Sequence, residues 1–216
     1  APRTEDGAID FESPVMLDLD LLDQHFTALS KGEVVMLPKF EFARQMRNDA
    51  RGRPLRLAKN EVAIFEGIHA LNPILTEVLP RNSVYKIYAG LREEYCSKGQ
   101  RVLPTRDIRL ARRMVRDHKF RGHSPEKTIS MWGRVCDGED RYIKVFKPEA
   151  DLLVDTSFSY ELCVLAGMIE PLAGSLPEKD PYAEKMNELA GHFALFDPIP
   201  LELVPKNSML REFLGE

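Results

Sequence analysis

The segment Glu61 to Phe65 constrains the fold of this 216-residue chain more than any other stretch. It is a short apolar run rich in Val and Ile, and it ends abruptly in Glu66-Gly67. Such a run is typical of a parallel strand that is buried on both faces. Because α/β sheets bind their ligands beyond the carboxyl ends of such strands, Glu66 is a candidate site residue. The alternative is that Glu66 merely begins a turn.

Strand-like and helix-like segments alternate along the rest of the chain. Two further apolar runs, Val84 to Ala89 and Ala150 to Val154, predict additional strands. The helical patterns, in chain order, are Asp18 to Ser30, Pro73 to Leu79, Ile108 to His118, a helix starting at Ser124-Pro125-Glu126, Tyr160 to Leu172, Pro181 to Phe196 and Met209 to Leu214. Strands separated by helices predict an α/β fold with a parallel sheet flanked by helices, although three central strands are few for one.

A small β-hairpin is predicted within residues 33–58. Glu33 to Phe42 is strand-like, but Pro38 in its middle cannot donate a ladder hydrogen bond. This segment is therefore expected to be an edge strand or one arm of the hairpin. Arg44 to Arg53 is polar, as a turn would be, and Pro54 to Leu57 is expected to be the returning strand.

The helix Ile108 to His118 lies in a strongly basic part of an otherwise acidic chain. Between Arg101 and Arg121 there are eight Lys or Arg residues and two acidic ones, whereas the whole chain has a net charge of −4. The arginines on one helical face are Arg109, Arg112, Arg113 and Arg116. Guanidinium groups this close repel one another unless an anion or an acidic surface compensates them, and they suit polyphosphate. Either an anionic ligand or pairing with acidic neighbours is therefore expected.

Arg121-Gly122 follows this helix, just before the helix start at Ser124. A glycine hinge beside an exposed arginine, between two helices, is typical of a lid that closes over a triphosphate. Residues 117–138 are therefore predicted to form a lid region. No spacing of His, Cys and Asp residues predicts a metal cage, and Trp132 is expected to be a packing residue.

Composition argues against several other classes of protein. The net charge of −4 disfavours a dedicated nucleic-acid binder, and no apolar run approaches the roughly 20 residues of a membrane helix. The first residues do not resemble a signal peptide. Three widely spaced cysteines, Cys96, Cys136 and Cys163, fit a reducing compartment. We therefore expect a cytoplasmic protein that binds neither nucleic acid nor membrane, while a homo-oligomer stays open.

Several short motifs follow one another in a specific order. They are Asp10-Phe11-Glu12-Ser13-Pro14, the hairpin Pro38-Lys39-Phe40-Glu41-Phe42, the Val62 to Leu71 segment VAIFEGIHAL, and Asp107-Ile108-Arg109-Leu110-Ala111-Arg112-Arg113. In this order they resemble the uridine kinase and phosphoribulokinase family of P-loop proteins. The closing stretch, Pro205 to Phe213, is similar to a bacterial uridine-kinase-like subgroup. The resemblance implies a P-loop NTPase-type sheet and ATP-dependent, Mg²⁺-assisted phosphoryl transfer to a nucleoside or similar sugar hydroxyl.

The resemblance also implies roles for single residues. Those implied in catalysis are Glu66, Arg109, Arg112 and Arg121, with Glu66 also as the Mg²⁺ ligand. Those implied in binding the acceptor are Phe11, Glu12, Phe40, Gln45 and Arg116. Glu12 replaces the Asp of the family, and Gln45 stands where pyrimidine-specific members have a base-contacting His. The identity of the acceptor base therefore stays open.

One part of the family pattern has no counterpart in this sequence. The motif GxxxxGK[ST], whose amides and Lys cradle the β- and γ-phosphates, does not occur, and Lys31-Gly32 has the reverse order. The family's first two strands are likewise not found, and Ala1 falls just beyond the expected catalytic base. Residues 1–216 are thus expected to be a single kinase-like domain, the C-terminal two-thirds of the family domain, with residues 33–58 as its acceptor-side hairpin.

Two functional hypotheses follow from this absence. In the first, the chain is part of a nucleoside kinase and does not catalyse the reaction as it stands. In the second, it is a natural relative without the loop, which binds a nucleotide or a protein partner without catalysis.

Overall fold

The computed structural model describes residues 2–3, 7, 9–41, 44, 46–92 and 95–215. The helices within these residues are α1 (Leu19–Ser30), α2 (Thr105–Arg121), α3 (Pro125–Tyr142), α4 (Glu161–Gly174), α5 (Ala183–Phe193) and α6 (Arg211–Leu214). The strands are β1 (Val35–Glu41), β2 (Met46–Leu55), β3 (Ile87–Gly90), β4 (Tyr95–Ser97), β5 (Gln100–Leu103) and β6 (Leu152–Asp155). The chain divides into two compact units: unit 1 is Ala1–Tyr88 with Gly138–Leu152, and unit 2 is Ala89–Asp137 with Leu153–Glu216.

Strands β3 and β6 form a parallel pair. The Leu152 N–H donates to the Lys86 carbonyl at 3.1 Å, and the Thr156 N–H donates to the Gly90 carbonyl at 3.1 Å. Both residue numbers rise together along the ladder, so the two strands run in the same direction. Helices α2 and α3 lie between them in the chain, and α4 follows β6. The predicted α/β class with parallel pairing and a small hairpin is thus confirmed.

The hairpin of unit 1 is formed by β1 and β2, which pair antiparallel. Pro38 lies at an irregularity in the register between Leu37 and Lys39, as expected for a residue that cannot donate to the ladder. The prediction of a turn at Arg44 to Arg53 was wrong, because most of that segment is strand β2. Its polar composition has a physical reason: an isolated two-stranded hairpin leaves both faces exposed and needs few apolar side chains.

Helix α1 confirms its predicted start and end. The Asp18 carboxylate accepts a hydrogen bond from the Leu21 N–H at 3.1 Å, which caps the first turn. Gly32 follows the helix with φ of 72°, a left-handed conformation that glycine adopts without strain. The buried face carries Phe26 and Leu29. By contrast, the helix predicted at Pro73 to Leu79 is only a 3-10 turn over Pro73–Leu75.

The segment Glu61 to Phe65 is not the buried parallel strand that its composition predicts. It is irregular, and Val62 and Ile64 are 86% and 91% exposed. A central strand is buried by the strands on either side of it, and no described residues of unit 1 pair with this segment. Phe65 is also 49% exposed, although its ring centroid lies 4.6 Å from that of Phe26 in an edge-to-face arrangement.

Unit 2 contains the larger core. Helix α2 packs against α4 and α6, and α4 packs against α5. The largest side chains below 2% exposure are Leu103, Ile108, Leu110, Met114, Leu162, Leu165, Ile169, Met186, Leu189, Phe193, Leu210 and Leu214. Trp132 is 9% exposed within this core, so its predicted packing role is confirmed. Strands β4 and β5 form a short antiparallel hairpin in this unit.

No helix in the described part of the chain is both long and apolar enough to cross a membrane. All three cysteines are described, and they form no disulfide bond.

Candidate functional site

Glu12 in unit 1 is held by its backbone and by a close contact with α3. Its N–H donates to the Asp10 carboxylate at 3.1 Å, and the Tyr142 hydroxyl hydrogen-bonds the other oxygen of the same carboxylate at 2.9 Å. A Cβ added to Gly138 would lie 2.4 Å from the Glu12 Cβ, so only glycine leaves room for this side chain. The acidic residue implied in acceptor binding thus has a defined place within its unit.

His69 is a second buried side chain that contacts this segment. Its ring is 6% exposed and hydrogen-bonds the Glu12 backbone, and it meets the Tyr142 ring edge-on at 6.4 Å between centroids. Burial lowers the pKa of His69 below its ordinary value of 6.5, although the Glu12 hydrogen bond and the Asp10 charge oppose this shift. Among the described residues the Nδ1 atom has no hydrogen-bond partner.

The two aromatic residues implied in acceptor binding are accessible. Phe11 is 71% exposed, and Phe40 on strand β1 is 50% exposed. Gln45, implied beside them, lies outside the described residues. Phe11, Glu12 and Phe40 all belong to unit 1.

Glu66 is an exposed residue in the irregular segment of unit 1. Mg²⁺ at phosphoryl-transfer sites is held by one or two carboxylates together with substrate phosphates and water. Within the described residues the only three His, Cys, Asp or Glu side chains close enough to share a metal ion are Asp107, Glu188 and His192. Glu66 can supply one such carboxylate, and we derive no catalytic step through the ion.

The group Asp107, Glu188 and His192 in unit 2 is already neutralised by protein groups. His192 Nδ1 lies 2.8 Å from an Asp107 oxygen, and Lys185 Nζ lies 3.6 Å from the other. The same Nζ is 2.8 Å from a Glu188 oxygen. Since the Lys185 ammonium takes the position that a metal ion would need, this cluster is an ion-pair network.

The four arginines of the basic face of α2 are partly buried, beside a face that packs into the core. Leu110 and Met114 on that face are both 0% exposed. Arg109 lies over the Trp132 ring at 6.0 Å from its centroid, a distance that permits a cation–π interaction. The helical spacing thus separates the basic face from the core, as expected.

Arg112 is bound inside unit 2. Its Nε and Nη2 atoms donate to the two carboxylate oxygens of Glu161, the Nη2 bond being 2.7 Å long, and Nη2 also donates to the Thr156 carbonyl at 3.0 Å. The Glu161 side chain is 1% exposed. No described residue hydrogen-bonds the Nη1 atom of Arg112, so this atom could still contact an anion.

Asp117, near the end of α2, is a buried acid that pairs with several basic side chains. Its side chain is 0% exposed, and it ion-pairs with Arg113, Arg116 and Arg121 at 3.4, 3.2 and 3.1 Å. His123 Nδ1 lies 3.8 Å away. The pairing with acidic neighbours that the sequence left open therefore applies to Arg112, Arg113, Arg116 and Arg121.

Sequence patterns missed the residues that hold these side chains in place. Glu161 lies 49 residues after Arg112, so no local pattern connects them. Tyr142 and Gly138 are distant in sequence from the Asp10–Glu12 segment and contact it only in the folded chain. Asp117 was visible as an acid on the basic helix, but its burial was not.

Comparison with known proteins connects these residues to one family. The model of the phosphoribulokinase / uridine kinase family matches residues 1–81 and 99–160. Uridine kinases of Staphylococcus aureus strains JH9, Newman and MW2 are each 27% identical to the chain over 156 residues. The alignment covers 71% of this chain and 66% of each relative, slightly less than two thirds of their length. Since the family match includes the Glu12 segment, Glu66 and the whole arginine face of α2, this chain belongs to the phosphoribulokinase / uridine kinase family.

Proposed function

We propose that this chain provides acceptor-binding and lid residues for a uridine-kinase-like nucleoside kinase of the cytoplasm. The parent reaction is ATP-dependent phosphoryl transfer to a nucleoside or similar sugar hydroxyl. The observation that carries the proposal is the ordered arginine face of α2, which lies within the family match. Guanidinium groups with fixed positions bind phosphate oxygens with little further loss of side-chain entropy.

In this proposal the two units contribute different residues. Phe11, Glu12, Phe40 and Gln45 of unit 1 bind the acceptor, and Glu66 serves catalysis. Arg109, Arg112 and Arg121 of unit 2 bind phosphate groups, with Arg112 using its Nη1 atom. Arg116, on the same helical face, binds the acceptor and the phosphate group that is transferred to it. Residues 117–138 act as the lid.

The chain itself is expected to transfer no phosphate. Its sequence contains no GxxxxGK[ST] motif, and phosphoryl transfer depends almost entirely on positioning and neutralising the phosphates. When the chain is mixed with ATP, Mg²⁺ and uridine, no uridine monophosphate should form above background. Turnover above background would contradict this part of the proposal.

Phosphate binding can be tested without turnover. Inorganic tripolyphosphate titrated into the chain by calorimetry should bind, and Arg121→Gln should weaken binding about tenfold, as expected for losing a charge-assisted hydrogen bond. The exposed Arg81 of unit 1 provides a control of the same residue type, and Arg81→Gln should leave the affinity unchanged. If the two substitutions weaken binding equally, tripolyphosphate binds through non-specific charge attraction and not at the arginine face of α2.

Glu66→Gln separates catalysis from folding. Because Glu66 is exposed, its stability effect should stay within about 0.5 kcal/mol. In an active kinase of this family that contains the chain, the same change should sharply reduce turnover. Full activity of that variant would remove Glu66 from the site.

The second candidate is a non-catalytic relative that binds a nucleotide or a protein partner. The observation in its favour is that the 216 residues contain no GxxxxGK[ST] motif to cradle the β- and γ-phosphates. ATP titrations with and without Mg²⁺ separate the candidates. Binding of equal strength in both titrations supports the non-catalytic relative, whereas strong dependence on Mg²⁺ supports the kinase.

A further inference from the structure

Asp117 connects two arginines of the proposed site through one atom. Arg116 Nε and Arg121 Nη1 lie 3.2 and 3.1 Å from the same carboxylate oxygen, Oδ1. The Arg113 Nε atom and the His123 Nδ1 atom face the other oxygen, Oδ2, at 3.4 and 3.8 Å. The carboxylate is 0% exposed, whereas Arg116 and Arg121 keep 23% and 50% of their side chains exposed. The buried acid thus supports arginines that still reach solvent.

The backbone of Asp117 holds the start of the lid region as well. Its carbonyl accepts hydrogen bonds from the Gly122 N–H and, at 3.1 Å, from the His123 N–H. Gly122 has φ of 64°, so the chain reverses in the left-handed conformation that commonly ends a helix. One residue therefore fixes the arginines with its side chain and the direction of the following linker with its carbonyl.

We propose that Asp117 is a positioning residue that orients Arg116 and Arg121 for binding a polyphosphate group. This inference rests on the proposed function, which assigns both arginines to phosphates but assigns nothing to Asp117. A carboxylate is buried at a high cost unless it is paired, and the pairing here orders two long side chains before any anion arrives. Such preorganisation increases affinity, because less side-chain entropy is lost on binding.

The charge of Asp117 acts in the opposite direction. A carboxylate this close to the arginines repels a polyphosphate, so its removal should increase affinity if charge alone mattered. Asp117→Asn removes the charge while keeping the size and the backbone hydrogen bonds. Positioning and simple electrostatics therefore predict changes of opposite sign for this single substitution.

The test measures tripolyphosphate affinity by calorimetry for the wild-type chain, Asp117→Asn and Asp107→Asn. Asp107 is the matched control, because it is also a buried aspartate on α2 but pairs with His192 and Lys185. We expect Asp117→Asn to weaken binding about tenfold, and Asp107→Asn to leave it unchanged. An unchanged or higher affinity of Asp117→Asn would overturn the proposal.

A spectroscopic measurement on the wild-type chain keeps the test independent of the folding of any variant. With no anion present, the Nε–Hε group of Arg116 and the Nη–Hη groups of Arg121 should show slower hydrogen exchange and less side-chain motion than the same groups of the exposed Arg81. Equal mobility of the three side chains would refute the positioning role. If the ordered wild-type chain nevertheless fails to bind tripolyphosphate, the proposed phosphate function is wrong, while Asp117 still orders its arginines.

Discussion

The Arg112 guanidinium and the Glu161 carboxylate form a two-point ion pair between α2 and α4, with Arg112 13% and Glu161 1% exposed. Planar, bidentate geometry of this kind strengthens the bond. Removing one partner leaves the other charge buried without compensation.

Arg112→Met should therefore destabilise the chain by about 3 to 5 kcal/mol in urea unfolding. The double variant Arg112→Met/Glu161→Met removes both charges and should recover much of this loss. If Arg112→Met keeps wild-type stability but loses tripolyphosphate binding, the principal role of Arg112 is ligand contact and not structure.

Gly138 on α3 should not tolerate even a methyl group. Its added Cβ would lie 2.4 Å from the Glu12 Cβ and 2.7 Å from its Cγ. Gly138→Ala should thus lower the unfolding free energy, although alanine normally stabilises a helix interior by about 1 kcal/mol over glycine. Gly133 on the same helix is the matched control, because nothing lies within 4 Å of its added Cβ. Gly133→Ala should stabilise the chain, and stabilisation by both substitutions would contradict the contact with Glu12.

Lowering the pH should destabilise the chain through His69. Because its pKa is lower in the folded chain than the ordinary 6.5, the unfolded chain binds this proton more readily. The stability is therefore complete above about pH 6.5 and is lost as the pH falls from there towards the folded pKa.

His69→Gln should flatten this part of the stability–pH profile between pH 7.5 and 5, measured by urea unfolding. The exposed His118 provides the control, because His118→Gln removes an imidazole that is not buried. A ring titration by NMR that gives His69 a pKa above 6.5 would contradict the prediction.

Arg211 stabilises the C-terminal turns of unit 2 by bonding backbone carbonyls. Its Nη2 atom donates to the Leu201 carbonyl at 3.0 Å and also to the Val204 carbonyl, and Nη1 donates to Gly215 at 3.3 Å. Arg211→Lys should destabilise the chain by about 2 kcal/mol, because one ammonium cannot reach all these acceptors. The backbone amides of α6 should also exchange hydrogen faster in the Arg211→Lys variant. The exposed neighbour Glu212 is the control, and an equal effect of Glu212→Gln would argue against specific carbonyl bonding.

Local chemistry explains which parts of the fold could be predicted from the sequence. Signals for the start or end of a helix involve only a few neighbouring residues, and the structure confirms three of them. They are the Asp18 cap, Gly32 after α1 and the Ser124-Pro125 start of α3. The prediction of a buried strand at Glu61 to Phe65 was wrong, because a strand is buried only when neighbouring strands pair with it on both sides. Its own residues contain no information about whether such neighbours pair with it.

The candidate site divides in the same way. Helical spacing alone placed the arginines of α2 on one face. Their partners could not be predicted, since Glu161 lies on another helix and the burial of Asp117 depends on the packing of the whole unit. Residue types thus predicted that the site is basic, whereas the fixed positions of its arginine side chains arise from tertiary contacts.

The exposed run from Val62 to Phe65 has a consequence for handling the protein in solution. Four successive apolar residues without proline or charge, in an unpaired stretch of backbone, favour strand pairing between separate molecules. Glu61 and Glu66 flank this run, and charges in such flanking positions oppose fibril-like association. The colloidal behaviour of the chain therefore depends on two carboxylates, and neutralising both should promote precipitation without any change in the packed cores.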